Sequence, residues 1–207
     1  MARTADRLGY DFLRFGEHLV IHKDMVPAMG SRWNHALTAA TFAAAVTTRI
    51  RMLPLLVVPY RHPVELARAL ATLYVLSGGR VSLIAAVGYM DWEFELLNQP
   101  FASRYAIADE YLRAMIELWT ADEPEFDGRF VRFRDIVFDP KPVQKPRIPI
   151  LLGGYADSAL RRVARYGDGW MPQRTVTRAE PSGSCSAGTS KSTNMRVRLA
   201  SARPQDD

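Results

Sequence analysis

Three stretches of this chain are apolar at nearly every position instead of every second one: residues 50–58 (IRMLPLLVV), 81–87 (VSLIAAV) and 148–152 (IPILL). A strand with one face in water alternates apolar and polar residues, whereas a strand covered on both faces does not. Runs of five to nine residues are also far too short to cross a membrane as a helix. These segments therefore read as inner strands of a parallel sheet. Helical patterns lie between and after them. Pro63 opens VELARALATLYVL, which Gly78-Gly79 closes, and Gly153-Gly154 leads into DSALRRVARYG. Strand, helix, strand, helix with buried strands defines an α/β fold.

The remaining chain fits this rhythm. Residues 2–8 read as the end of a helix stopped by Gly9, and residues 11–16 (DFLRFG) as a short strand. Residues 17–33 form a loop, after which Asn34 or Thr38 is expected to cap a helix through TAATFAAAVTT. A short helix is expected around 92–97. A longer one over 106–119 has apolar residues at 107, 111, 112, 115, 116 and 119. Asp127-Gly128 predicts a small hairpin, and residues 169–171 begin a fifth strand.

From Arg174 onward the pattern stops. Residues 174–207 contain six Ser, four Thr and no aromatic residue, and read as a disordered tail, either not native to the fold or an ordinary flexible extension. Five Arg and one Lys stand there against Glu180, Asp206 and Asp207, a net +3 out of the chain's +5. The basic balance thus sits in the tail, which argues against nucleic acid as a partner. A single cysteine, Cys185, allows no intrachain disulfide. That and the charged N-terminus MARTADRLGYD, which has no apolar leader, predict a cytoplasmic protein with no membrane contact.

Four segments in order carry a family pattern: LGYDFLRFGEH (8–18), RHPVELARALATLYVLSGGRVSL (61–83), VGYMDWEFELLNQPFASRYAIADEYLRAMIELWT (87–120) and FDPKPVQKPRIPILLGGYADSALRRVARYGDGWMP (138–172). Together they resemble the luciferase-like monooxygenase superfamily. Their wording is closest to the branch that uses the deazaflavin coenzyme F-420 and not FMN. The resemblance implies a TIM (β/α)8-barrel type fold. Against that pattern the chain reads as partial, with about five parallel strands, the first and the last two being missing. Residues 1–173 are then a partial barrel domain. A full barrel usually takes about 250 residues, and this chain has 207.

The resemblance also implies roles. Strand C-termini form the active-site rim of a barrel. It places a proton-transfer or cofactor-contacting histidine at His18, a residue type suited to proton exchange near neutral pH. Glu17 is expected to fix the loop or bond that ring. Leu56, Val57 and Val58 would back the flavin ring, from a backbone that relatives strain near 54–60. Gly88-Tyr89 would let the chain approach a planar ring, and Glu93 matches the family's loop glutamate. Gly153-Gly154 with Ser158 would anchor an anionic tail at a helix N-terminus, with Arg161 and Arg162 nearby. Trp170 would line the pocket. The implied reaction is hydride transfer between coenzyme F-420 and a small organic substrate. FMN with oxygen is the alternative, and an inactive fragment a second one. A homodimer is implied in the same way. His22 and Asp24 suggest metal ligands only if a helix spaced them, and no metal site is expected. No Walker loop, GxGxxG, HExxH, GxSxG or CxxC occurs.

Overall fold

The computed structural model describes residues 1–143 and 145–171. The disordered tail expected at 174–207, with Cys185, lies outside the described residues. Helix α1 (Ala2–Arg7) ends where Gly9 takes φ +87°, a left-handed turn natural to glycine. Strand β1 (Phe12–Phe15) follows, then a loop holding the short helix α2 (Val26–Met29). Helix α3 (Ala36–Ala45) leads to β2 (Arg51–Val57), and a 3-10 turn over Val58–Tyr60 connects to α4 (Pro63–Leu76). Next come β3 (Leu83–Ala86), α5 (Asp91–Leu96) and α6 (Arg104–Thr120). A hairpin, β4 (Phe126–Asp127) with β5 (Arg132–Phe133), precedes β6 (Ile150–Leu152), α7 (Asp157–Tyr166) and β7 (Gly169–Trp170).

The five long-range strands form one sheet in the order β1-β2-β3-β6-β7, and every pairing is parallel. Neighbours in space are neighbours in sequence, apart from the inserted hairpin. That is the progression of an arc of a (β/α)8 barrel.

Both sheet faces are buried, as the uninterrupted apolar runs require. Met52 and Leu56 of β2, Leu83 and Ala85 of β3, and Ile150 and Leu152 of β6 pack outward against the helices. There they meet Leu66, Leu70 and Tyr74 of α4 and Met115, Leu118 and Trp119 of α6. Each large side chain buried this way contributes roughly 1.5–3 kcal/mol. The Trp119 indole N–H, with its ring fully buried, donates to the Ala67 carbonyl at 3.0 Å and ties α6 to α4. On the inner face Leu53, Leu55, Ile84 and Leu151 form a second cluster.

Three local features differ from the expectations. The N-cap of α3 is His35, not Asn34 or Thr38: its ring nitrogen accepts from the Thr38 amide at 3.3 Å. The α6 stripe holds, but it also buries Glu110, whose carboxylate accepts the amides of Arg129, Phe130 and Val131 at 3.0, 2.6 and 2.9 Å. That clamp gathers the predicted hairpin turn onto the helix. Finally, no strained peptide marks the segment 54–60; the cis bonds, Asp139-Pro140 and Lys145-Pro146, lie elsewhere.

At the N-terminal end of the sheet one side chain closes the base. The Arg80 guanidinium donates to the carbonyls of Ala44, Thr47, Ile50 and Ser77 at 2.8–3.1 Å, and to the Thr47 hydroxyl. It thereby satisfies chain ends of α3 and α4, which helices leave without internal partners.

Candidate functional site

At the opposite end, where the parallel strands point their C-termini, the loops surround a cavity of about 520 Å³. Small-molecule sites commonly fall at about 300–1,000 Å³. The loop after β1 supplies Gly16, Glu17 and His18; β2 and its 3-10 turn supply Leu55, Val57 and Tyr60; the segment after β3 supplies Gly88, Tyr89 and Glu93; and the segment after β6 supplies Gly153, Gly154 and Ser158. Four stretches far apart in sequence thus border one space.

The centre of the polar arrangement is Glu93, only 1% exposed. It sits in the first turn of α5, where the helix dipole favours a negative charge. Its carboxylate accepts the Leu19 amide at 2.6 Å and the Val20 amide at 3.4 Å on one oxygen. On the other it meets the Tyr60 hydroxyl at 2.8 Å and the His18 Nδ1 at 3.3 Å. Burial works to raise the Glu93 carboxyl, but the bonds from His18, Tyr60 and Leu19 outweigh it and hold the group below its ordinary range. Burial and the adjacent Glu93 push the Tyr60 phenol far above its usual value, so it remains a donor.

A carboxylate has no proton to give, so the His18 nitrogen facing it carries the hydrogen. The other nitrogen, Nε2, lies 3.5 Å from the hydroxyl of Tyr89, and both residues line the cavity. Trp33 and Tyr89 approach the imidazole edge-on, with centroids at 4.6 and 5.9 Å. The ring is thus held on its sides and presents one basic nitrogen.

Glu17 takes a different part. Its side chain is 1% exposed and does not bond His18. It accepts the Val57 amide at 2.8 Å and forms an ion pair with Arg61. Arg61 reaches on to His35 Nε2 at 3.2 Å. Of the two roles considered for Glu17, fixing the loop is the one its contacts perform.

Close approach of backbone is built in at Gly88. Its φ is +85°, and a Cβ there would lie 2.7–2.8 Å from Phe94 and Val57. Gly154, at φ +111°, would place a Cβ 2.7 Å from Ala159, and its carbonyl accepts the Trp170 indole N–H at 2.8 Å. Ala156 and Ser158 at the start of α7 border the cavity beside it.

Val58 and Leu56 do not reach the cavity. They pack into the helical layer: Leu56 because neighbours along a strand point to opposite faces and Val57 turns inward, and Val58 as the first residue of the 3-10 turn. Arg161 is exposed on α7, whereas Arg162 is buried, paired with Asp109 and borders the cavity. His22 and Asp24 approach to 3.3 Å, both exposed. Among the described residues no group of three or more metal-ligating side chains occurs, and no helix is long and apolar enough to cross a membrane. The residues that sequence reasoning missed are Tyr60, Arg61 and Trp33. The Tyr60-Arg61 pair directly before the helix-opening His62-Pro63 was the signal available.

A parallel arc of βα units with a small-molecule cavity at the strand C-termini defines a barrel-type enzyme architecture. The luciferase-like monooxygenase family model matches residues 1–182, and the chain belongs to that family of oxidoreductases. An uncharacterized protein of Mycobacterium tuberculosis is 44% identical over 138 residues, covering 65% of this chain and 46% of that protein. The FMNH2-dependent dimethylsulfone monooxygenase of Pseudomonas putida is 33% identical over 138 residues, 65% of this chain and 36% of that enzyme. A solved coenzyme F-420-dependent secondary alcohol dehydrogenase shares the fold, with TM-score 0.69 and 21% identity over 83% of this chain and 52% of the other. The chain therefore spans about half, or less, of the length of the relatives it matches.

Proposed function

We propose that this chain forms the coenzyme-binding part of an oxidoreductase that moves a hydride between the deazaflavin coenzyme F-420 and a small organic substrate. The observation that carries this reading is the meeting of Gly16–His18, Gly88–Glu93 and Gly153-Gly154 around one cavity. Residues 1–173 act in it as a barrel domain. A cytoplasmic, homodimeric enzyme without nucleic-acid or membrane partners completes the reading.

The residues present fit such a coenzyme. Val57, Leu55 and Ala86 give an apolar wall. Gly88 lacks the Cβ that would fill the approach to it. The start of α7, with Gly153, Gly154 and Ser158, offers backbone N–H groups and a helix dipole to an anionic tail, and Arg162, paired with Asp109, borders the same space. When bound, the coenzyme supplies the carbon that takes or returns the hydride. The chain's own part is the proton. As a C–H bond of the substrate breaks toward hydride, the proton of its O–H passes to His18 Nε2, and in reverse His18 returns it. Glu93 holds the ring in place. Tyr89 closes the side of the site, and Glu17 with Arg61 fixes the loop that presents His18.

The identity to an FMNH2-dependent enzyme favours a second reading, in which FMN occupies the same cavity. Titrating the full chain with each coenzyme, followed by fluorescence and a thermal melt, separates them. Saturable F-420 binding with a raised Tm is expected. Tight FMN binding with none for F-420 would replace the first reading by the second, and binding of neither would defeat both.

A further inference from the structure

Tyr60 is buried, 7% exposed, and lies 33 residues before its partner Glu93. Its hydroxyl donates at 2.8 Å to the same carboxylate oxygen that His18 Nδ1 reaches at 3.3 Å. The other oxygen is held by the amides of Leu19 and Val20. Each contact fixes one degree of freedom. The two amides set the carboxylate's position against the loop after β1. The phenol, itself wedged edge-on against Phe94 at 5.0 Å, sets its rotation. In that rotation an oxygen lies 3.3 Å from Nδ1.

We propose that Tyr60 is a positioning residue: by holding the Glu93 carboxylate in one rotation it selects the Nδ1–H tautomer of His18 and leaves Nε2 as the bare nitrogen on the cavity side. This rests on the reading of His18 as the proton-exchanging group. Without that clamp only the Leu19 and Val20 amides restrain the carboxylate, the oxygen facing Nδ1 loses one of its two partners, and the imidazole is freer to carry its proton on Nε2 instead. A ring protonated at Nε2 presents a donor where the reaction needs an acceptor. The polar and charged groups around the ring are Glu93 on α5, Tyr60 after β2, Tyr89 after β3 and, behind the loop, the Glu17–Arg61 pair. Of these Glu93 accepts at Nδ1, while the Tyr89 hydroxyl, 3.5 Å from Nε2, donates to a bare nitrogen or accepts from a protonated one.

The test reads ring nitrogens directly. In the 15N-histidine-labelled full chain, long-range proton–nitrogen spectra distinguish a protonated from a bare ring nitrogen, and His18→Gln assigns the signal among the four histidines. The wild type is expected to show His18 protonated at Nδ1 and bare at Nε2. Tyr60→Phe, which keeps the ring and the fold, is expected to shift His18 toward the Nε2–H form. Glu93→Gln is expected to abolish the Nδ1–H preference, and adding Tyr60→Phe to it should change nothing further. A Tyr60→Phe spectrum identical to wild type, a wild type already protonated at Nε2, or an additive change in the double variant would overturn the proposal. The spectra need no coenzyme, so failure to bind F-420 or FMN would strike the function proposed above and leave this result in place.

Discussion

At the scale of single residues, the cavity depends on positions that tolerate little. Gly88 combines a left-handed backbone with neighbours 2.7–2.8 Å from where a Cβ would stand. The conformation alone costs a non-glycine residue roughly 1–2 kcal/mol, and the contacts with Phe94 and Val57 add to it. Gly88→Ala is therefore expected to lower unfolding stability by about 2–4 kcal/mol, read by urea denaturation, and to weaken coenzyme binding with it. Glu93 makes a pH prediction. Its carboxyl is held below its ordinary value, 4.5, in the folded chain. The stability it contributes is complete above that value and drains away as pH falls through the lowered one. Asp6, lowered chiefly by the Thr48 and Ile50 amides, acts with the same sign. The melting temperature should thus drop on acidification below about pH 4.5, and Glu93→Gln should flatten part of that drop. An unchanged acid profile in Glu93→Gln would mean that the carboxylate carries no such linkage.

At the scale of elements, what the sequence disclosed and what it withheld divide on the range of the interaction. Strands 50–58, 81–87 and 148–152 were legible because burial on two faces leaves a local signature, and each proved a strand within a few residues. The helix over 63–76 was legible from Pro63 and Gly78-Gly79. The cap of α3 was not, because histidine is not among the usual capping residues and its role is visible only once the ring is placed. Leu56 and Val58 were assigned to the site together with Val57 and belong to the core; Leu56 lies on the strand face opposite Val57. Glu93 and His18 were both singled out, but not as partners, since a sequence separation of 75 hides the contact. Tyr60 was passed over although it stands directly before the helix-opening His62-Pro63, because a buried tyrosine after a strand reads as packing. Glu110 illustrates the same limit, and it yields a prediction. It accepts three hairpin amides from a buried position, so Glu110→Ala should cost about 2–4 kcal/mol. Amide exchange should rise selectively at residues 129–131, and uniform acceleration across the chain would contradict a local clamp.

At the scale of the whole molecule, the sheet is an arc whose end strands, β1 and β7, each pair on one side among the described residues. Opening free energy should follow that geometry. In native-state hydrogen exchange, β2 and β3 are expected to exchange slowest and β1 and β7 fastest, by at least tenfold. Protection of β1 equal to that of β2 would reveal a further strand along that edge.

Arg80 fastens the floor of this arc through five bonds made by one side chain, on the face away from the ligand space. Rigidity and recognition therefore have separate addresses in this chain. Its upper loops can be rewritten for new cargo while the keystone beneath them stays seated, and an engineer wishing to retune the pocket has a foundation that need never be touched.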